Sequence, residues 1–287
     1  RILPGIIVIL SVYSCATKKL VQEGNAAYQA GNYASALASL EQVIEKRESM
    51  GEKAAAKIYY KAGMAALELE KQAKGREYLE TASNLEYSSP ELYASLAKIY
   101  RNIDNLSKEI TALENYYKKF PEGERIDTIT TRLFETYVES ENWEPAYNLW
   151  PKIDSDAQSD TGLLTGYLIV NKNLENDDAC DELANRILKM DPDNIPALEW
   201  NAFKYFWQAE NRYLKEMKAY EENRTRSQYN KLLKAWDIMF ANYRKARDLL
   251  KKLYYTKPDP EYARYLETIY IRMDEDDKAA FWRAKIK

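Results

Sequence analysis

The sequence predicts an all-α protein, a right-handed superhelical solenoid of about eight antiparallel helix pairs. Three observations carry this. Equivalent positions recur at a fixed distance, 34 residues from Gly63 to Ala97, from Phe134 to Leu168 and from Leu168 to Ala202, and a period of this length marks a helical repeat array. Within each period the apolar residues return at helical spacing. Nine Gly and nine Pro in 287 residues are too few for long loops or many β-turns, while 24 Tyr supply rings that fill gaps beside small residues in stacked helices.

The first segment, residues 1–14, is expected to be a signal peptide with a truncated start. Arg1 precedes the apolar run Ile2 to Val12, which is too short for a membrane span and suits a signal-peptide core. Val12-Tyr13-Ser14-Cys15-Ala16 follows, and then the polar onset Thr17-Lys18-Lys19. An aliphatic residue three before Cys15 and a small one just before it resemble the bacterial lipobox, although Tyr13 departs from its usual small residue. The resemblance implies lipid on Cys15, with about 0.8 kcal/mol of membrane affinity per buried CH₂. It also implies an outer-membrane lipoprotein that, lacking an acidic run after Cys15, faces the periplasm. Cys180 then has no partner and reads as a small buried residue.

The N-terminal array is expected over residues 15–156. Its best-formed copy is Gly24-Asn25-Ala26-Ala27-Tyr28-Gln29-Ala30-Gly31-Asn32-Tyr33-Ala34-Ser35-Ala36, continued by Leu40 and Val43. Gly63, Ala66, Gly75, Leu79 and Ala82 form the second copy. Ala97, Tyr100, Leu113, Tyr116 and Pro121 form the third, with Glu109 where a small residue belongs. Phe134, Tyr137, Trp143, Ala146, Trp150 and Ile153 form the fourth. Small residues let paired helices approach closely. Ser89-Pro90-Glu91 reads as an N-cap followed by Pro at the first helical position. The polar stretch 154–160 is the expected hinge before a more divergent array over 157–287.

In that second array Leu168, Cys180, Ala184, Ile187 and Pro192 form the fifth copy. Residues 195–225, with Ala202, Tyr205 and Leu214, and residues 227–257, with Ala246, Leu250 and Leu253, read as two further helix pairs. Tyr262, Leu266, Tyr270, Ala279 and Trp282 mark the last. Asp191-Pro192 and Lys257-Pro258 are helix stops, since proline lacks the N–H a continuing helix needs.

These copies resemble the tetratricopeptide repeat, and the chain as a whole resembles lipid-anchored proteins of that type from Bacteroidetes. The resemblance implies a concave face lined by the first helix of each pair, on which a protein or peptide docks. Counted by the repeat register, that face holds Asn25, Tyr28, Lys57, Tyr60, Met64, Leu67, Lys98, Arg101, Thr131, Glu135, Lys172, Glu199, Phe203 and Phe206. Mixed rings and charges suit a peptide groove. The carboxylate clamp of chaperone-binding members is not reproduced: Asn25 fits it, but Val21, Lys61, Glu91 and Ser95 do not. The cluster Trp200, Phe203, Tyr205, Phe206 and Trp207 is ringed by aromatics and reads as a buried helix, with a ligand platform as the alternative.

Composition narrows function further. The chain has no histidine, which removes Ser-His-Asp and Cys-His centres and His-ligated metal sites. No motif pairs carboxylates for glycan cleavage. Net charge is −3, yet residues 204–257 hold 14 Lys/Arg against 6 Asp/Glu, leaving −11 for the rest. That basic stretch is either a set of solvated helix faces or a docking face for an acidic partner or anionic head groups. The sequence therefore points to a non-enzymatic protein-binding scaffold of the cell envelope, without cofactor, metal or nucleic acid. The alternative is a fixed structural subunit of an outer-membrane assembly or secretion complex, and an enzyme that cleaves glycans with carboxylates is a third reading.

Overall fold

Fourteen α-helices follow one another in the computed structural model, which describes residues 5–286, with side chains from Thr17 onward. The chain divides into two compact units, Arg1–Ser140 and Glu141–Lys287. The polar stretch 154–160 lies inside the second unit. Cys15 falls within the first helix, but its side chain and the rest of the lipobox lie outside the described side chains. Among the described residues no helix is long and apolar enough to cross a membrane.

The first unit contains α1 (Gly5–Gln29), α2 (Tyr33–Glu48), α3 (Ala56–Glu68), α4 (Gln72–Asn84), α5 (Pro90–Asn102), α6 (Leu106–Lys119) and α7 (Ile126–Glu139). Helices joined by such short turns pack as antiparallel neighbours, here α1 with α2, α3 with α4 and α5 with α6, with α7 against α6. Leu40, Ala66, Leu79, Leu92, Leu113 and Leu133 are fully buried between them. The expected cap is present, with Ser89 accepting from the Leu92 amide at 3.1 Å and Pro90 opening α5.

Where the pairs cross, glycine decides the distance. A Cβ on Gly63 would stand 2.8 Å from Leu79 and 3.1 Å from the Gly75 carbonyl oxygen, and one on Gly75 only 2.5 Å from Leu67. Gly24 meets Leu40 in the same way, at 2.9 Å.

The turns after α1, α3, α5 and α7, and those after the helices Thr161–Asn173 and Pro260–Arg272, are built to one plan. Gly31, Glu70, Asp104, Glu141, Glu175 and Asp274 all have φ between 52° and 74°. At five of these turns the following amide reaches back five residues, as Asn32 to the Ala27 oxygen at 2.9 Å and Lys71 to Ala66 at 2.9 Å. This closes the helix with a left-handed residue and satisfies its last carbonyls.

The second unit contains α8 (Trp143–Leu149), α9 (Thr161–Asn173), α10 (Asp177–Met190), α11 (Ile195–Glu222), α12 (Arg226–Thr256), α13 (Pro260–Arg272) and α14 (Asp276–Arg283). Two short 3₁₀ turns, Trp150–Lys152 and Ala157–Ser159, link α8 to α9. The stops at Pro192 and Pro258 fall where expected, just beyond α10 and α12. Residues 195–257 depart from expectation. They form one pair of helices, 28 and 31 residues long, in place of two ordinary pairs. The fourteen described helices are thus two fewer than eight pairs require. No Gly or Pro stands between Leu198 and Lys257, so nothing in this stretch breaks either helix.

The core of this long pair runs from Leu198 to Ala209 on α11 and from Ala235 to Leu253 on α12, joined by Tyr262, Leu266, Tyr270 and Trp282. A second cluster, Leu164, Leu168, Cys180, Ala184, Ile187 and Ala197, holds α9, α10 and the start of α11.

Candidate partner-binding surface

In the first unit the residues expected on the docking face sit on α1, α3, α5 and α7, as the register requires. Several are already engaged. Asn25 accepts a hydrogen bond from Lys61 Nζ at 2.5 Å, and the same ammonium lies 5.7 Å from the centre of the Tyr28 ring. Burial pushes the Tyr28 phenol up to about 12. Tyr60 stacks on Tyr87 with ring centres 4.5 Å apart, and burial raises both phenols. Burial, then Lys57, lower Lys61. Met64 takes a weak contact from the Ser95 hydroxyl at 3.6 Å.

Lys57, Lys98 and Arg101 are exposed, and among the described residues none is paired with a carboxylate. Thr131 and Leu67 are half-buried. Glu135 belongs to an ion cluster: Arg132 bridges Glu109 at 2.7 and 3.1 Å, Glu135 at 3.0 Å and Glu139 at 2.7 Å. This explains the departure at Glu109. Its side chain is only 3% exposed, and the space a small residue would leave is filled by a carboxylate that ties α6 to α7. The same contact, opposed by burial, raises Arg132.

In the second unit α11 opens a cleft of about 450 Å³ against the ends of α9 and α10. Trp200, Phe203, Lys204, Trp207, Gln208 and Asn211 recur at three- and four-residue spacing along one face of α11. Asp177 and Asp181 of α10 and Lys172 of α9 complete the lining. Asp181 organises the wall. It accepts from the Trp200 indole N–H at 2.9 Å and pairs with the Lys204 ammonium. Burial works to raise Asp181, but the bonds from Lys204 and Trp200 outweigh it and hold the carboxyl below its usual range. Trp207 remains 47% exposed, and Lys172 is exposed at the rim.

Of the residues the repeat register selected here, Lys172 and Phe203 line the cleft. Glu199 accepts a hydrogen bond from the Tyr262 hydroxyl. Phe206 is 3% exposed and packs on Tyr243 and Tyr265, so it supports the face from behind. Trp200, Lys204, Trp207 and Asp181 were not selected. Their spacing is visible in the sequence, where rings on several sides of a helix leave a buried core and a ligand platform as alternatives, and one side of α11 stays open.

The cleft offers flat apolar rings beside amide, ammonium and carboxylate groups. Such a surface seats an apolar side chain while hydrogen-bonding polar groups beside it. Among the described residues no cluster of three or more metal-ligating side chains occurs.

Neither a protein-family model nor a curated relative matches the sequence. Solved structures do. A proposed protein-binding protein from Bacteroides ovatus matches with a TM-score of 0.52 at 20% identity, over 78% of this chain and 99% of its own. A tetratricopeptide repeat protein from Parabacteroides merdae matches with a TM-score of 0.40 at 15% identity, over 94% of this chain and 92% of its own. YrrB, a tetratricopeptide repeat protein with an unusual peptide-binding site, matches with a TM-score of 0.45 at 14% identity, over 65% and 96%. The B. ovatus protein shares the architecture of stacked helix pairs. With the repeat register and the recurrent left-handed turns, it places this molecule among helical-repeat proteins. Its fold is of the tetratricopeptide-repeat type.

Proposed function

We propose that this protein is a non-enzymatic scaffold that holds a peptide segment of another protein in the α11 cleft. The observation that carries the reading is Trp207, a large ring left 47% exposed at a cleft that sets the Trp200 and Phe203 rings beside Lys204, Asp181 and Gln208. Exposed rings beside hydrogen-bonding groups are the usual anchors of protein interfaces. The B. ovatus protein of shared fold is itself described as protein-binding, which accords with this reading.

We further propose that lipid on Cys15 tethers the scaffold to the outer membrane, facing the periplasm. The apolar run, the position of Cys15 and the polar onset at Thr17 support this reading.

A photo-crosslinking residue at Trp207, with one at the 70% exposed Tyr255 as control, tests the first proposal in intact cells. A discrete adduct at Trp207 alone is expected, and equal labelling at both sites counts against it. Incorporation of labelled palmitate that is lost in Cys15→Ala tests the second. Stoichiometric, salt-resistant co-purification would favour a fixed subunit of a larger complex over a transient scaffold.

A further inference from the structure

The long pair α11 and α12 has an end that the core does not explain. Its neighbours α9, α10 and α13 have 13, 14 and 13 residues, against 28 and 31. The buried residues of α11 stop at Glu210 and those of α12 begin at Leu232. At 1.5 Å per residue, residues 211–222 extend roughly 18 Å past the last buried position of α11. Between Asn211 and Lys231 no residue is buried.

This hairpin end is basic and partly apolar. Residues 211–234 hold seven Lys/Arg and three Asp/Glu. Arg212 and Lys215 sit one turn apart on α11, Arg224 and Arg226 at the turn, and Lys231 and Lys234 one turn apart on α12. Among the described residues none of these six is paired with a carboxylate, whereas Lys218 has Glu222 at 3.9 Å. Leu214, Tyr229 and Leu233 are 51%, 44% and 40% exposed. The Tyr220 and Tyr229 rings meet across the hairpin at 5.8 Å, about one turn below its end.

We infer that this hairpin end docks on an anionic phospholipid surface, a contact separate from the α11 cleft and from any acyl anchor. Unpaired cations on both helices and the turn form a basic cap, which fits a broad anionic plane better than a single acidic strand. Tyrosines one turn back from the cap suit the head-group level, where phenol rings concentrate. A second copy is a poor occupant, because each hairpin end carries +4 and two of them repel.

The test uses the chain from Ala16 onward, the mature form of the proposed lipoprotein without its acylated cysteine, so that neither the apolar run nor an acyl chain contributes, with vesicles of phosphatidylcholine alone or mixed with phosphatidylglycerol. Binding to the mixed vesicles, absent on the neutral ones and falling with added salt, is expected. Each cation near an anionic surface contributes about fivefold, so Arg224→Gln, Arg226→Gln, Lys231→Gln and Lys234→Gln together lower binding by on the order of several hundredfold. All four residues are exposed, and circular dichroism checks that helix content is kept. Should the fourfold variant lose helix, the two turn substitutions alone are expected to lower binding by about 25-fold. Trp207→Ala leaves vesicle binding unchanged. Equal binding to both vesicles, binding to neither, an undiminished variant, or capture of polyglutamate in place of vesicles would each overturn the inference.

Discussion

Glu109 and Glu210 are carboxylates held almost out of water, and each is bridged by one arginine. Glu210 faces Arg272 at 2.6 and 3.1 Å and accepts from the Tyr243 hydroxyl at 2.5 Å. Arg272 in turn lies 4.2 Å from the centre of the Tyr213 ring. Removing one partner of a buried pair costs more than the pair contributes, because a bare charge stays behind. Arg132→Ala is therefore expected to destabilise the first unit by about 3–5 kcal/mol, read as a shift of the denaturation midpoint. Arg132→Lys should recover only part of this, since an ammonium cannot reproduce the two-pronged bond to Glu109. The Glu210 pair also bears on the acid limit. Burial raises the Glu210 carboxyl, but Arg272 and Tyr243 outweigh it and hold its folded pKa below the unfolded value. A depressed folded pKa adds stability that is fully present above the unfolded value of about 4.3 and is lost as pH falls through the folded one. Glu80 and Asp181 are lowered and act in the same direction. Urea midpoints measured from pH 6 downward should thus hold steady until about pH 4–5 and then drop. In Glu210→Gln the drop should be shallower, from a lower starting stability.

At the scale of helices, the crossing of α3 and α4 opposes two effects. Glycine inside a helix is worse than alanine by about 1 kcal/mol. A Cβ on Gly63, however, would stand 3.1 Å from the backbone oxygen of Gly75 as well as 2.8 Å from Leu79, and backbone does not swing aside. Overpacking costs about 1–3 kcal/mol, so Gly63→Ala is expected to lower the melting temperature despite the better propensity. A rise would mean that the helices can separate freely. The same crossings show what sequence could disclose. Gly24, Gly63 and Gly75 stood at repeat positions where only a close approach gives glycine a purpose, and the helix pairs followed from them. The turns were harder to see. Gly31 announces a left-handed residue, but the equivalent turns use Glu70, Asp104, Glu141, Glu175 and Asp274, residue types that read as ordinary surface. Residues 195–257 were divided by analogy with earlier copies, although the absence of Gly and Pro between Leu198 and Lys257 argued for unbroken helices. In the cleft, Lys172 and Phe203 were accessible through the repeat register. Asp181 was not, because the second helix of a pair has no assigned role on a concave face.

At the scale of the molecule, the two units each carry their own core, and Cys180 reports on the second. Its thiol is fully buried in the cluster around Leu168 and Ile187, and burial pushes it up to about 11. In a Cys15→Ala background a thiol reagent at pH 8 should leave the folded protein unmodified and react fully once the second unit opens. The rate against denaturant then gives the opening free energy of that unit alone. Rapid modification without denaturant would contradict the packing. The α11–α12 pair has a consequence of a different kind. Its two arms are clasped along Leu198–Ala209 and Ala235–Leu253, while the chain between them passes through an exposed turn with Arg224 and Arg226. Trypsin cutting there would sever one covalent link and leave the apolar clasp in place, so the two pieces should elute together as a single particle. The turn is in this sense a natural seam, where a foreign domain could be inserted or the protein expressed as two complementing fragments.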